Sequence, residues 1–256
     1  MSRSKIVLLA GPGISTRVLY HALKEEFDID HIILEAPVSK KQLISRRIKK
    51  LGLTTVIGQV FFQLIIVNLL NFFSASRKKR ILANEDLVDS EIPEEKITHV
   101  PSVNDDRCLE LIQSLDPQLV VVNGTRIISE RILLATAATF INLHAGITPA
   151  YRGVHGAYWS LVNRDPAHCG VTVHLVDAGI DTGAIISQAL IQPTSKDNFV
   201  TYPFLQLSAG IPLMRSAIRS IQQQQLQTNI SSAASKLWSH PGFLQYCYYR
   251  LLRGIK

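Results

Sequence analysis

Residues 5–35 read KIVLLAGPGISTRVLYHALKEEFDIDHIILE, and the order of their parts decides the fold class. Behind Lys5, Ile6 to Ala10 is a continuous short apolar run, as in a strand buried on both faces. Gly11-Pro12-Gly13 breaks the run, and a helical stretch follows from about Thr16 to Glu26. His31 to Glu35 is a second strand. Strand, glycine turn, helix and strand open a doubly wound α/β domain, a mostly parallel twisted sheet with helices on both faces. The helix N-terminus behind Gly11 and Gly13 suits an anion such as a substrate phosphate, which makes both glycines candidate substrate-binding positions; the turn serves equally well without a ligand. A dinucleotide fingerprint wants a third glycine where Thr16 stands, so only Glu35 speaks for a nicotinamide cofactor.

The α/β rhythm returns at His99 with a helix from about Asp105 to Leu115, a buried strand from Gln118 to Val122, and the turn Asn123-Gly124-Thr125-Arg126. Ser129 is placed to cap a helix from Glu130 to Ala137. In the next strand Asn142 and His144 alternate with Ile141 and Leu143, so the two polar side chains share one face. A turn-rich loop follows through Gly146, Pro149, Arg152, Gly153 and Gly156, and then GVTVHLVD alternates again on its way to Asp181. Asn142, His144 and Asp181 are the candidate catalytic set. An amide, an imidazole and a carboxylate suit acyl transfer to an amine. His144 and Asn142 would stabilise the tetrahedral oxyanion, while Asp181 raises the pKa of His144 and relays the proton. Each residue also has an ordinary use at a strand end or turn, Asp181 before Thr182-Gly183 above all.

The conjunction resembles the folate-dependent formyltransferases. Asn142-Leu143-His144, Pro149-Ala150-Tyr151-Arg152-Gly153, Gly170-Val171-Thr172 and Asp181-Thr182-Gly183 match that family's Asn-x-His, Pro-x-Tyr-x-Gly, Gly-Val-Thr and Asp-Thr-Gly signature in order, and the likeness covers roughly residues 5–200. Gly146-Ile147-Thr148-Pro149 departs from the usual Ser-Leu-Leu-Pro. The resemblance implies a Rossmann-like formyltransferase fold and 10-formyltetrahydrofolate as cosubstrate. It also implies a pterin pocket lined by Asn123, Gly124, Arg126, Ile127 and Ile128, mainly through backbone groups. Arg152 or the Lys40 to Arg80 segment would meet the diphosphate of an activated sugar, and His155 lies where some members place a histidine against the catalytic carboxylate. His174, alternating with apolar neighbours, reads as positional.

Composition sets the frame. At 256 residues and 46% hydrophobic the chain buries a full core. Cys108, Cys169 and Cys247 are too few and scattered for a disulfide framework, no metal motif is present, and the N-terminus lacks a secretory pattern, so the expectation is a cytoplasmic protein, peripheral to the inner membrane surface at most. The net charge of +7 is misleading: ten Lys and Arg between Lys40 and Arg80, with no Asp or Glu among them, leave the rest of the chain net negative. Within this 40–80 insertion, Leu53 to Phe73 is nearly free of charge and long enough to span a bilayer. Gln59, Gln63, Asn68, Asn71 and Gly58 interrupt it, and a span would split the sheet. The open readings are a helix packed on the domain or a partner, a helix on a membrane surface, and, against these interruptions, a true span.

The expected organisation is a catalytic domain over 1–192 and a mostly helical C-terminal extension over 193–256. The extension holds a helix from Phe199 to Ile221 interrupted near Gly210 and Pro212, a low-complexity linker, and a last helix from Phe243 to Leu252. The favoured activity is N-formylation of a small-molecule amine, an amino sugar on a nucleotide carrier for surface polysaccharide. Transfer RNA is the weaker acceptor, for want of a broad basic surface. Methionyl-tRNA and glycinamide ribonucleotide formyltransferase, formyltetrahydrofolate hydrolase, a nicotinamide oxidoreductase and a membrane-bound binding protein are the alternatives.

Overall fold

The computed structural model describes residues 4–256. Strand β1 (Ile6–Ala10) turns at Gly11 into α1 (Ile14–Lys24), and β2 (Ile29–Glu35) returns parallel to β1. A long crossover follows: α2 (Lys40–Leu51), α3 (Leu53–Phe73, with π-type turns over Phe62–Val67) and α4 (Ala75–Asn84) lead to β3 (Ile97–Val100). Next come α5 (Asp106–Leu115), β4 (Leu119–Asn123), α6 (Glu130–Leu133) and β5 (Thr139–His144). Beyond it lie β6 (Arg152–Gly153), α7 (Gly156–Val162), β7 (Gly170–Leu175) and β8 (Ile185–Leu190). The chain closes with α8 (Tyr202–Gln222), β9 (Leu237–Trp238) and α9 (Phe243–Arg253).

The seven-stranded sheet runs β3-β2-β1-β4-β5-β7-β8, parallel from β3 to β5 and antiparallel thereafter, while β6 pairs with β9 in a separate ribbon. Alternation along β1 builds both sides of the core: Ile6, Leu8 and Ala10 pack with α1 and α8, and Val7 and Leu9 with α5 and α6. The stretch expected as a C-terminal extension thus supplies a core helix. The interruption anticipated near Gly210 and Pro212 is not there, because packing overrides propensity. A Cβ at Gly210 would come within 2.5 Å of Leu143 Cδ1, so the glycine lets α8 close onto the strand that carries the site. Helix α6, expected to reach Ala137, stops at Leu133. Ser129 holds its N-cap position but makes no side-chain cap bond.

Helix α4 is tied to the start of α8 by an ion pair. Arg77 donates to both oxygens of Asp197 at 2.8 and 2.9 Å, and Thr194 N–H donates to the same carboxylate at 2.9 Å. The Asp197 side chain is fully buried. Removing its charge strands a guanidinium, so Asp197→Ala should lower unfolding free energy by about 3–5 kcal/mol in a denaturant titration, and a loss under about 1 kcal/mol would assign the pair to the weak surface class. Burial works to raise the Asp197 carboxyl, but Arg77 and Thr194 outweigh it and hold it below the usual range. With a depressed folded pKa, this stabilisation is present above about pH 4 and is lost as pH falls through the lowered value.

Candidate functional site

The site lies beyond the carboxyl ends of β4 and β5, beside the point where strand order reverses between β1 and β4. Strand β5 delivers Asn142 and His144, and its antiparallel register with β7 sets His174 opposite Asn142. His174 Nδ1–H donates to Leu175 O at 2.6 Å, so its Nε2 accepts from the Asn142 amide at 3.1 Å. One N–H of that amide is thereby spent and the other is left for a ligand.

His144 is held from two sides. Its Nε2–H donates to the Tyr151 carbonyl at 2.8 Å, which leaves Nδ1 facing Asp181 Oδ2 at 3.3 Å. Gly146 permits the first contact, since a Cβ there would collide with Tyr151 O and lie 2.8 Å from His144 Nε2. The loop that departs from Ser-Leu-Leu-Pro therefore returns onto the imidazole because its first residue, Gly146, has no side chain. Asp181 sits in a turn with φ 50°, receives Gly153 N–H at 2.9 Å, and has its other oxygen 3.6 Å from His174 Nε2. Burial works to raise its carboxyl, but His174, His144 and Gly153 N–H outweigh burial and keep it below the usual range, ionised at neutral pH.

The sequence expectation that Asp181 lifts the pKa of His144 holds for the sign of that one interaction and fails for the net result. Burial pushes His144 below its ordinary value, and Asp181 and the Tyr151 carbonyl only partly offset it. At neutral pH the resting group is imidazole, with its lone pair on Nδ1.

These groups open into a cavity of about 900 Å³. Asn123, Gly124, Arg126, Ile127 and Ile128 all line it. The Arg126 side chain is pinned 2.7 Å from Glu35 and donates to Ala36 O at 2.7 Å, so this wall offers mainly backbone. Glu35 also receives the N–H groups of Arg126 and Val103, which leaves it committed to the loop and removes the basis of the nicotinamide reading. Four expected substrate contacts lie elsewhere. Gly11 and Gly13 stop short of the lining, where Ser15 stands instead. Gly11 serves close approach, its N–H bonded to Asn123 O at 3.0 Å. Arg152 donates to Ile180 O at 3.0 Å and so braces the turn that carries Asp181. His155, at φ 60°, points to His240 Nδ1 at 2.9 Å and packs at a tilt against Phe199 rather than meeting Asp181, and His174 takes that place.

The Lys40 to Arg80 segment, the other place expected to meet a substrate diphosphate, does reach the cavity. Arg47 and Lys50 come to it from the basic crossover, and Trp238 and His240 from the stretch before α9. Burial and then Arg47 push His240 down to about 4. The only signal for the two cations was the basic run itself.

If the free Asn142 N–H binds a developing oxyanion, Asn142→Ala should cost about 10- to 10³-fold in kcat with KM little changed. An unchanged kcat in steady-state assays would assign the amide to holding His174 alone.

A family model described as formyl transferase matches residues 68–202, more than half of the chain. The chain belongs to the formyl transferase family. The chain is 28% identical over 152 residues to a methionyl-tRNA formyltransferase of Syntrophus aciditrophicus (strain SB), a match covering 57% of the chain and 48% of that relative. It thus spans about half the length of the relative it matches. Among solved structures it resembles a sugar N-formyltransferase from Shewanella sp FDAARGOS_354, with TM-score 0.57 and 16% identity over 91% of this chain and 76% of that one. It also resembles the N-formyltransferase from Helicobacter canadensis solved with folinic acid and dTDP-3-aminofucose, with TM-score 0.54 and 17% identity over 91% and 70%. At such identities the likeness shows the fold.

Proposed function

We propose that this formyl transferase moves the formyl group of 10-formyltetrahydrofolate to a primary amine. The observation that carries the reading is the Asn142, His144, His174 and Asp181 cluster, with one amide N–H and one imidazole lone pair uncommitted, at the wall of a cavity large enough for a pterin. The amine nitrogen attacks the formyl carbon, and the carbonyl electrons move to oxygen, where the second Asn142 N–H donates to them. The amine proton passes to His144 Nδ1, on the side of Asp181, whose ionised carboxylate stabilises the imidazolium as it forms. Collapse breaks the bond from the formyl carbon to N10 of the folate, and the same proton returns to that leaving nitrogen.

The proposed acceptor is an amino sugar on a nucleotide carrier. Arg47 and Lys50 offer its diphosphate two cations in the same cavity as the cluster, from the basic segment named beside Arg152 for that part. The Helicobacter neighbour, solved with an amino-sugar nucleotide, supports the same class. Methionyl-tRNA is the second reading, favoured by the Syntrophus relative. The test supplies purified protein with 10-formyltetrahydrofolate and a panel of amines that includes 4-amino-4,6-dideoxy nucleotide sugars, glycinamide ribonucleotide and methionyl-tRNA, and follows tetrahydrofolate and formate release. Turnover on an amino-sugar nucleotide is expected. Formylation of methionyl-tRNA with none on any sugar would overturn the acceptor, and formate release without an acceptor would mark a hydrolase.

A further inference from the structure

The amphipathic logic of α3 is inverted. A surface helix normally keeps its polar face in water, yet here both glutamines point inward. Gln59 Nε2 donates to His240 O at 2.8 Å, Gln63 meets His240 Nδ1 at 3.0 Å, and Val56 and Phe62 are buried against the domain, Phe62 between Phe199 and Tyr246. The outward face carries Leu53, Ile57, Phe61, Leu64, Leu69 and Phe72, spaced three to five apart along the whole helix, with Phe72 78% exposed. Helix α9 repeats the pattern. Tyr246 packs inward while Leu244, Tyr248, Leu251 and Leu252 form an outward stripe, Leu251 81% exposed. The two helices pack together where Gly58 meets Gly242 and Phe62 meets Tyr246, so both stripes belong to one side of the molecule. A contiguous apolar surface of this kind on a folded chain marks a docking site.

Charge says what docks there. Lys49 precedes α3, Lys79 and Arg80 follow it, and Arg250 and Arg253 lie on α9, while neither residues 40–80 nor residues 243–256 hold an Asp or Glu. We propose that this face rests on an anionic lipid bilayer, the leucines and phenylalanines in the acyl boundary and the basic residues among the headgroups. A second copy fits worse, because an isologous pair would bring together two basic surfaces free of Asp and Glu. Although α3 is long enough to cross a bilayer, its buried residues tie it to the domain along one side, so it lies in the interface rather than spanning it. The catalytic cavity opens alongside. Lys50 and Leu51 line it and run directly into α3, and Trp238 and His240 line it just before α9.

Flotation of the full chain with vesicles of phosphatidylcholine, alone or mixed equally with phosphatidylglycerol, tests the docking independently of the formyl-transfer reading. Binding to the mixed vesicles is expected at low salt, falling at least ~10-fold between ~0.05 and ~0.5 M salt as screening tightens. The triple variant Leu64→Glu, Leu69→Glu, Phe72→Glu should lose binding while its thermal unfolding and its solution turnover match the parent. A Trp placed by Phe72→Trp should shift its emission to the blue on mixed vesicles. Absence of binding at low salt would overturn the proposal. So would a lipid-free dimer in light scattering that the triple variant dissociates, or membrane attachment that survives alkaline carbonate.

Discussion

Replacing His144 with alanine is expected to lower kcat by about 10² to 10⁴ and to leave the affinity for the folate donor within about threefold, because the side chain acts on charge that exists only in the transition state. The wall proposed to hold the donor is residues 123–128, and His144 is not part of that segment. The pH profile separates this role from a structural one. Burial lowers the His144 pKa, so an enzyme that needed imidazolium at rest would be largely switched off at neutral pH. The geometry instead has neutral imidazole receiving a proton at Nδ1. Turnover should rise with pH as the acceptor amine becomes free base, with no alkaline fall due to His144. The bell-shaped profile that a resting imidazolium implies is not expected. The His144 limb should lie on the acid side, below the ordinary histidine value of about 6.5, and should be missing from the alanine variant. Stopped assays across pH on both proteins decide this. Retention of a tenth or more of the parent turnover by His144→Ala would remove the residue from the mechanism.

What the chain made readable in advance follows a physical division. Strands β1 and β4 are continuous short apolar runs buried on both faces, and a local window suffices to see them. Asn142 and His144 were readable for the same reason, since alternation within one strand fixes a shared face. His174 was underrated because its importance depends on a cross-strand register, Asn142 opposite His174, that no local window contains. His155 was overrated by position: its left-handed backbone turns the ring toward His240, across a contact between α7 and the stretch before α9. Arg47, Lys50 and His240 reach the cavity only through the packing of the crossover helices on the domain, so composition could flag the basic run but not its address. In α8, Gly210 and Pro212 carry local penalties that burial of Ile211 and Met214 against the sheet overrides. Glu35 shows the reverse error, a carboxylate at the end of a strand whose partners, Arg126 and Val103, lie far along the chain.

Asp181→Asn should be as damaging as loss of the imidazole, about 10² to 10⁴ in kcat, and it is the more discriminating change. Asparagine tolerates the left-handed conformation that Asp181 adopts at φ 50°, and its side-chain oxygen can still accept Gly153 N–H, so the turn should survive. What disappears is the negative charge 3.3 Å from His144 Nδ1. That charge favours the imidazolium against burial, so without it the His144 pKa should fall further and its acid limb should move to lower pH. KM for donor and acceptor should change little, since neither carboxylate oxygen is needed to hold them. Asp181→Ala would confuse this with strain, because alanine pays for the left-handed backbone as well. The decisive measurements are kcat, KM and the acid limb for the asparagine variant, beside its thermal unfolding. A large loss of kcat with an unmoved limb would show that Asp181 only shapes the turn, and a limb that moves with kcat intact would show that the proton does not travel through His144.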